Sequence, residues 1–150
     1  DVGATFSETY QVGYSRSFYL GGLSETCDNW TISRNFVHNV FEMQLAGADS
    51  TVIEYNWFGP TWGKEVIRGQ IRSTNITVRY NVFRNACRDD HDPGSGCTGE
   101  VMLFGNQGDT PNFEGFKVYG NIVWKTMGQY KTDGTFGAEA NDCKIYNNTI

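Results

Sequence analysis

Three carboxylates and an imidazole fall in four consecutive positions, Asp89-Asp90-His91-Asp92, inside a polar, glycine-rich stretch that Cys87 and Cys97 bracket. Carboxylate oxygens at that density are ligands for a hard cation such as Ca2+, and a carboxylate beside an imidazole can supply a general acid and a general base. Counted as a calcium loop from Asp89, the stretch places Gly94 sixth and Glu100 twelfth, but His91 and Pro93 fall third and fifth, where oxygen ligands are needed. Asp89, Asp92 and Glu100 are therefore the candidate metal ligands, and Asp90 and His91 the candidate acid–base pair. The competing reading is a solvated acidic loop that only keeps the chain soluble.

Other reactive groups are sparse. His38 and His91 are the two histidines available to a Ser/His/Asp arrangement, and neither has a nucleophile-elbow context. The cysteines, at 27, 87, 97 and 143, show no C-x-x-C spacing, which removes zinc-ribbon and thioredoxin readings. Cys87 and Cys97 flank a detour and are expected to close it with a disulfide worth roughly 2–3 kcal/mol, leaving Cys27 and Cys143 unpaired. Trp57, Trp62, Trp124 and Tyr130 are more aromatics than the interior should need. Flat rings on a rigid groove can stack on sugar faces, which makes Trp62 and Tyr130 candidate substrate-binding residues, or they can anchor core and loops.

A net charge of −5 argues against a nucleic-acid partner, because such binding rests on clustered Lys and Arg. No membrane partner is expected, since the longest apolar run, Val101-Met102-Leu103-Phe104, is far short of the ~20 residues of a spanning helix. No basic start followed by an apolar stretch marks a leader. Asn29, Asn75 and Asn147 head Asn-x-Thr sequons, which in an Asn-rich repeat are expected to be coincidental.

The elements that must position these groups come from an internal repeat. Trp30-Thr-Ile-Ser-Arg-Asn35, Thr51-Val-Ile-Glu-Tyr-Asn56, Ile76-Thr-Val-Arg-Tyr-Asn81, Phe116-Lys-Val-Tyr-Gly-Asn121 and Cys143-Lys-Ile-Tyr-Asn-Asn148 share one template. Three before the Asn stand Ile32, Ile53, Val78, Val118 and Ile145; two after it stand Val37, Phe58, Phe83, Val123 and Ile150. Spacing of two between inward positions is that of a strand. The outward column Ser33, Glu54, Arg79, Tyr119, Tyr146 predicts Glu54 beside Arg79 and Tyr119 beside Tyr146. A weaker column, Leu45, Ile67, Leu103, Thr135, each two before a Gly, predicts a further strand. Asn suits the repeated corner because it tolerates the left-handed conformation and its amide can bond the Asn of the next rung. The intervals between these Asn residues are 21, 25, 40 and 27, so surplus length goes into loops. His38, three after Asn35, is expected on the exposed column beyond the corner.

The Asn column and phrases such as Lys144-Ile-Tyr-Asn-Asn-Thr-Ile150 resemble the right-handed parallel β-helix, the pectate-lyase-like superfamily, from about Trp30 onward. The resemblance implies an all-β fold, a right-handed parallel β-helix (β-solenoid) of about five irregular coils. Residues 1–150 form one domain in this reading, with 1–28 as an N-terminal cap and first coil and 86–99 as an inserted loop, and the chain can be a fragment of a longer solenoid. Asn-x-Phe repeats such as Asn81-Val-Phe83 resemble polysaccharide lyases of this shape, which use a Lys and Arg pair, often with calcium. That likeness makes Lys64 and Arg68 candidate catalytic residues and Arg72 a candidate substrate-binding residue, although Phe104-Gly105-Asn106-Gln107 stands where a partner Arg is expected. The implied function is a carbohydrate-active protein, a lyase or hydrolase of an acidic polysaccharide. A non-catalytic carbohydrate-binding or adhesin module and a purely structural segment are the alternatives. The expected location is extracellular or cell-surface. Ile150 falls in an inward column, so that end is expected to be covered by a second copy, giving a homodimer, or by further sequence.

Overall fold

Five triplets in the repeat, each centred on Val or Ile and flanked by residues that bend the chain, become short parallel strands. The computed structural model describes residues 2–3, 18–20, 27–38, 43–59, 65–70, 73–84, 100–104, 114–124, 130–132 and 144–149, and among these there is no helix. Sheet I contains Thr31–Ser33, Val52–Glu54, Thr77–Arg79, Lys117–Tyr119 and Lys144–Tyr146. Sheet II contains Val2–Gly3, Phe36–His38, Trp57–Phe58, Val82–Arg84 and Ile122–Trp124. Sheet III contains Phe18–Leu20, Met43–Ala46, Glu65–Gln70, Glu100–Phe104 and Tyr130–Thr132. Every strand pairing is parallel, and from Thr31 onward the chain visits I, II and III in the same order on each pass. This all-β, parallel arrangement is compatible with a β-helix.

The inward columns of sheets I and II hold as aligned in the sequence. Ile32, Ile53, Val78 and Val118 are in register and buried, as are Val37, Phe58, Phe83 and Val123, whereas Ile145 is 44% exposed. Phe58 and Phe83 stack face to face at 4.8 Å, which fills the interior with offset rings rather than voids. On sheet I the outward pairs form as expected: Arg79 Nη2 lies 2.6 Å from Glu54 Oε2, Arg79 Nη1 donates to Tyr119 Oη (3.0 Å), and Tyr119 stacks on Tyr146 at 4.9 Å.

The Asn column forms a continuous ladder. Both the backbone N–H and Nδ2 of Asn35 donate to Asn56 Oδ1 (2.9 and 3.1 Å), and the same pair of bonds joins Asn56 to Asn81, Asn81 to Asn121 and Asn121 to Asn148. One expectation is corrected here: the left-handed residue is not the ladder Asn but the one before it. Arg34, Tyr55, Tyr80, Gly120 and Asn147 have φ between 52° and 65°. A second left-handed corner precedes sheet I at Asn29, Ser50, Asn75 and Gly115. The sequon residues Asn29, Asn75 and Asn147 are thus corner residues, and Asn is placed there because it tolerates that conformation. The following strand supplies Thr31 and Thr77, and Thr149 forms a parallel bridge to Ile122.

The weaker column is also corrected. Gly69, not Ile67, pairs with Leu45, and Ile67 pairs with Met43 and Met102. Position 135 and residues 105 and 137 lie outside the described residues, as do Ile150, Cys87, Cys97, Cys143 and most of 1–28 and all of 86–99.

Candidate functional site

Sheets I and II alternate buried and open positions, as strands with one solvated face do, but sheet III does not. Met43, Gln44, Leu45 and Ala46 are all buried, and so are both Val66 and Ile67. Strand geometry sends neighbours to opposite faces, so sheet III is covered on its outer face as well as its inner one. A parallel sheet covered on both faces normally carries a continuous apolar run. This one carries Gln44, 1% exposed, and Arg68, half-buried, directly opposite each other on adjacent strands. Strands in register lie ~4.8 Å apart, close enough for a carboxamide and a guanidinium to meet one ligand.

The same register column continues to Leu103 and Lys131 on one side and to Tyr19 on the other. Arg68 and Lys131 therefore occupy one column two strands apart, or ~10 Å. Lys131 is not visible in the sequence repeat, which places the expected partner of Arg68 at 104–107 in the next pass. The signal was the Tyr130–Thr132 strand itself, whose three residues carry no Gly or Asn to phase them.

Chemically, a recessed guanidinium can neutralise a carboxylate through paired N–H donors, and in a water-poor site that interaction is stronger than in bulk. Applied to a uronate, it would stabilise the enolate that forms when the proton beside the carboxylate leaves. Gln44 adds an amide that can donate to, or accept from, a sugar hydroxyl.

The other sequence candidates divide in two. Glu100 pairs in register with Glu65 at the start of the neighbouring strand, and Tyr130 shares the column of Met43, Ile67 and Met102 rather than that of Arg68. Trp62, Lys64, Arg72, Asp89, Asp90, His91 and Asp92 lie outside the described residues. For Ca2+, only Glu100 of the three expected ligands is described, and among the described residues no group of three His, Cys, Asp or Glu is placed to hold an ion. His38 is half-buried, with its ring stacked on Phe36 at 4.7 Å.

Comparison with protein-family models, with curated proteins and with solved structures finds no match to this chain.

Proposed function

We propose that the chain is a right-handed parallel β-helix of about five coils, pectate-lyase-like in architecture, that acts on an acidic polysaccharide outside the cell. The observation that carries this reading is the covered outer face of sheet III with Arg68 and Gln44 in register on it. A cation such as the half-buried Arg68 is the group a uronate lyase needs against the substrate carboxylate. Lys64 and the acidic loop, with Asp90 and His91, are the proposed sources of the base and acid. Asp89, Asp92 and Glu100 are the proposed ligands should Ca2+ take part. Trp62 and Arg72 complete the proposed substrate contacts.

The test is incubation with polygalacturonate, alginate and a glycosaminoglycan, following the ultraviolet absorbance of unsaturated product. Arg68→Ala is expected to lower turnover on the order of a hundredfold or more, as removal of an oxyanion-stabilising donor does. A flat trace for the wild-type chain on every uronate polymer, with and without calcium, rejects the lyase reading. A non-catalytic carbohydrate-binding module is the second reading, favoured by the exposed aromatics of sheet II.

A further inference from the structure

The outer face of sheet II carries rows of large, partly exposed apolar side chains, as the corner beside it carries the stacked and exposed Tyr55 and Tyr80. Phe36, Trp57 and Ile122 occupy one outward column and are 44%, 41% and 48% exposed. The other outward column carries His38, Arg84 and, 48% exposed, Trp124. Large apolar side chains in rows on a monomer surface mark a contact face rather than chance exposure. We propose that this face is a second polysaccharide-binding surface, an anchoring platform distinct from the covered face of sheet III, on which the polymer lies across the strands.

The dimensions fix the direction. Phe36 and Ile122 are three strand spacings apart, ~14 Å, whereas the two outward columns are two residues apart along a strand, ~7 Å. A ligand that uses the whole face must be long and narrow and must run along the stacking direction. The four large side chains, each less than half exposed, offer on the order of 400 Å2 of accessible surface, short of the about 800 Å2 that each partner gives to a stable protein interface. Rings stacked on sugar faces suit it better, because each contact is local and the polymer repeats.

Charge points the same way. The chain is net −5, yet the described outward positions of sheet II include Arg84 and no carboxylate. The Arg84 guanidinium lies over the Trp124 ring, 4.8 Å from its centroid, and among the described residues no acid pairs with it. Arg79, on sheet I, is instead held by Glu54 and Tyr119. Arg84 and Trp124 therefore present one flat, cationic surface, fitted to a sugar ring that bears an anionic group.

This inference rests on the polysaccharide reading but not on catalysis. The probes are soluble polygalacturonate, dextran sulfate and neutral dextran, tested by affinity electrophoresis with the full chain. Wild type should be retarded by an anionic polymer, and the carboxylate and sulfate arms report which group it prefers. Trp57→Ala and Trp124→Ala should each weaken retention roughly tenfold, the value of one aromatic stacking contact. Arg84→Gln should weaken retention on the anionic polymers, whereas Arg79→Gln, on the other face, should not. Turnover of a short oligosaccharide too small to span both faces should be unchanged in all four variants. If retention occurs and depends on these residues but no cleavage is found, the catalytic reading fails and the platform stands. Retention unaltered in Trp57→Ala, Trp124→Ala and Arg84→Gln overturns the platform, as does wild type unretained by all three polymers. A dimer in light scattering that dissociates on Trp57→Ala also overturns it, in favour of a second copy.

Discussion

Truncating one rung of the amide ladder tests whether the ladder or the apolar interior holds the parallel strands in register. Asn81 is 1% exposed. Its Oδ1 accepts from the N–H and Nδ2 of Asn56 (2.9 and 3.0 Å), and its Nδ2 donates to Ile53 O (2.9 Å), Arg79 O (3.0 Å) and Asn121 Oδ1 (3.0 Å). In Asn81→Ala some partners keep a second bond: Asn56 Nδ2 still donates to Ile32 O, and Asn121 Oδ1 still accepts from the Asn81 N–H. The buried Asn56 N–H loses its Oδ1 acceptor. An orphaned buried donor costs ~2 kcal/mol, and the net value of the other lost bonds brings the total to about 3 kcal/mol, a large share of the 5–15 kcal/mol typical of a domain. Asn148→Ala removes the equivalent bonds to Asn121 at a half-buried rung that water can reach, and should cost ~1 kcal/mol. Equilibrium unfolding in urea, followed by circular dichroism, reads both values from the shift in midpoint. A loss below ~1 kcal/mol in Asn81→Ala, or a loss as large in Asn148→Ala, would refute the assignment of register to the ladder.

Three further outcomes follow from local geometry. Gly120→Ala should destabilise by ~1–2 kcal/mol in urea melts, because φ is 65° there and a Cβ would stand 2.7 Å from the Tyr80 ring; an unchanged midpoint would contradict the corner. Asp49 accepts from Thr74 Oγ1, Asn75 Nδ2 (3.0 Å) and Ser50 Oγ (2.9 Å), which together hold its carboxyl below the usual 3.8. Its contribution is therefore present above the unfolded value and lost as pH falls through the lower folded one, so Asp49→Asn should flatten the acid limb of the stability curve, and an unaltered limb would count against it. Thiol titration of the denatured, unreduced chain should find two reactive groups if Cys87 and Cys97 are joined, and four would rule that bridge out.

Sheet I was legible almost in full because its strands are phased by the ladder. The Asn sits a fixed three residues after a β-branched inward position, so Ile32, Ile53, Val78, Val118 and Ile145 align without structural help. Sheet III was not legible, for two physical reasons. Its distance from the ladder varies: Met43 follows Asn35 by 8 residues (43 − 35), Ile67 follows Asn56 by 11 (67 − 56), and Met102 follows Asn81 by 21 (102 − 81). Burial of both its faces also removes the alternation that would mark the inward side, so a glycine-based phase slipped by two at Leu45 and by one at Leu103. The corner conformation was displaced by one residue because the sequence shows which side chain bonds its neighbour, not which φ turns the chain. Of the site, Arg68 was found by resemblance, whereas its register partners Gln44 and Lys131 depended on the pairing itself.

Sheets I and II solve the same problem on their outer faces in different ways, and that difference is informative. Both need only their inward columns and the ladder to fold, so outward residues are free to vary. Sheet I pairs outward groups across its strands, Glu54 with Arg79 and Tyr119 with Tyr146, itself 44% exposed, which stabilises neighbouring strands by a fraction of a kcal/mol per pair. Sheet II places Phe36, Trp57, Ile122 and Trp124 where more than two fifths of each remains in water. Those side chains forgo much of the ~1.5–3 kcal/mol that full burial of a large apolar group supplies, and rows of them favour association. The fold gains little from them there. Their alignment along the stacking direction is imposed by parallel, in-register strands, so a ligand that repeats along the same axis can engage them together where a compact one meets them singly.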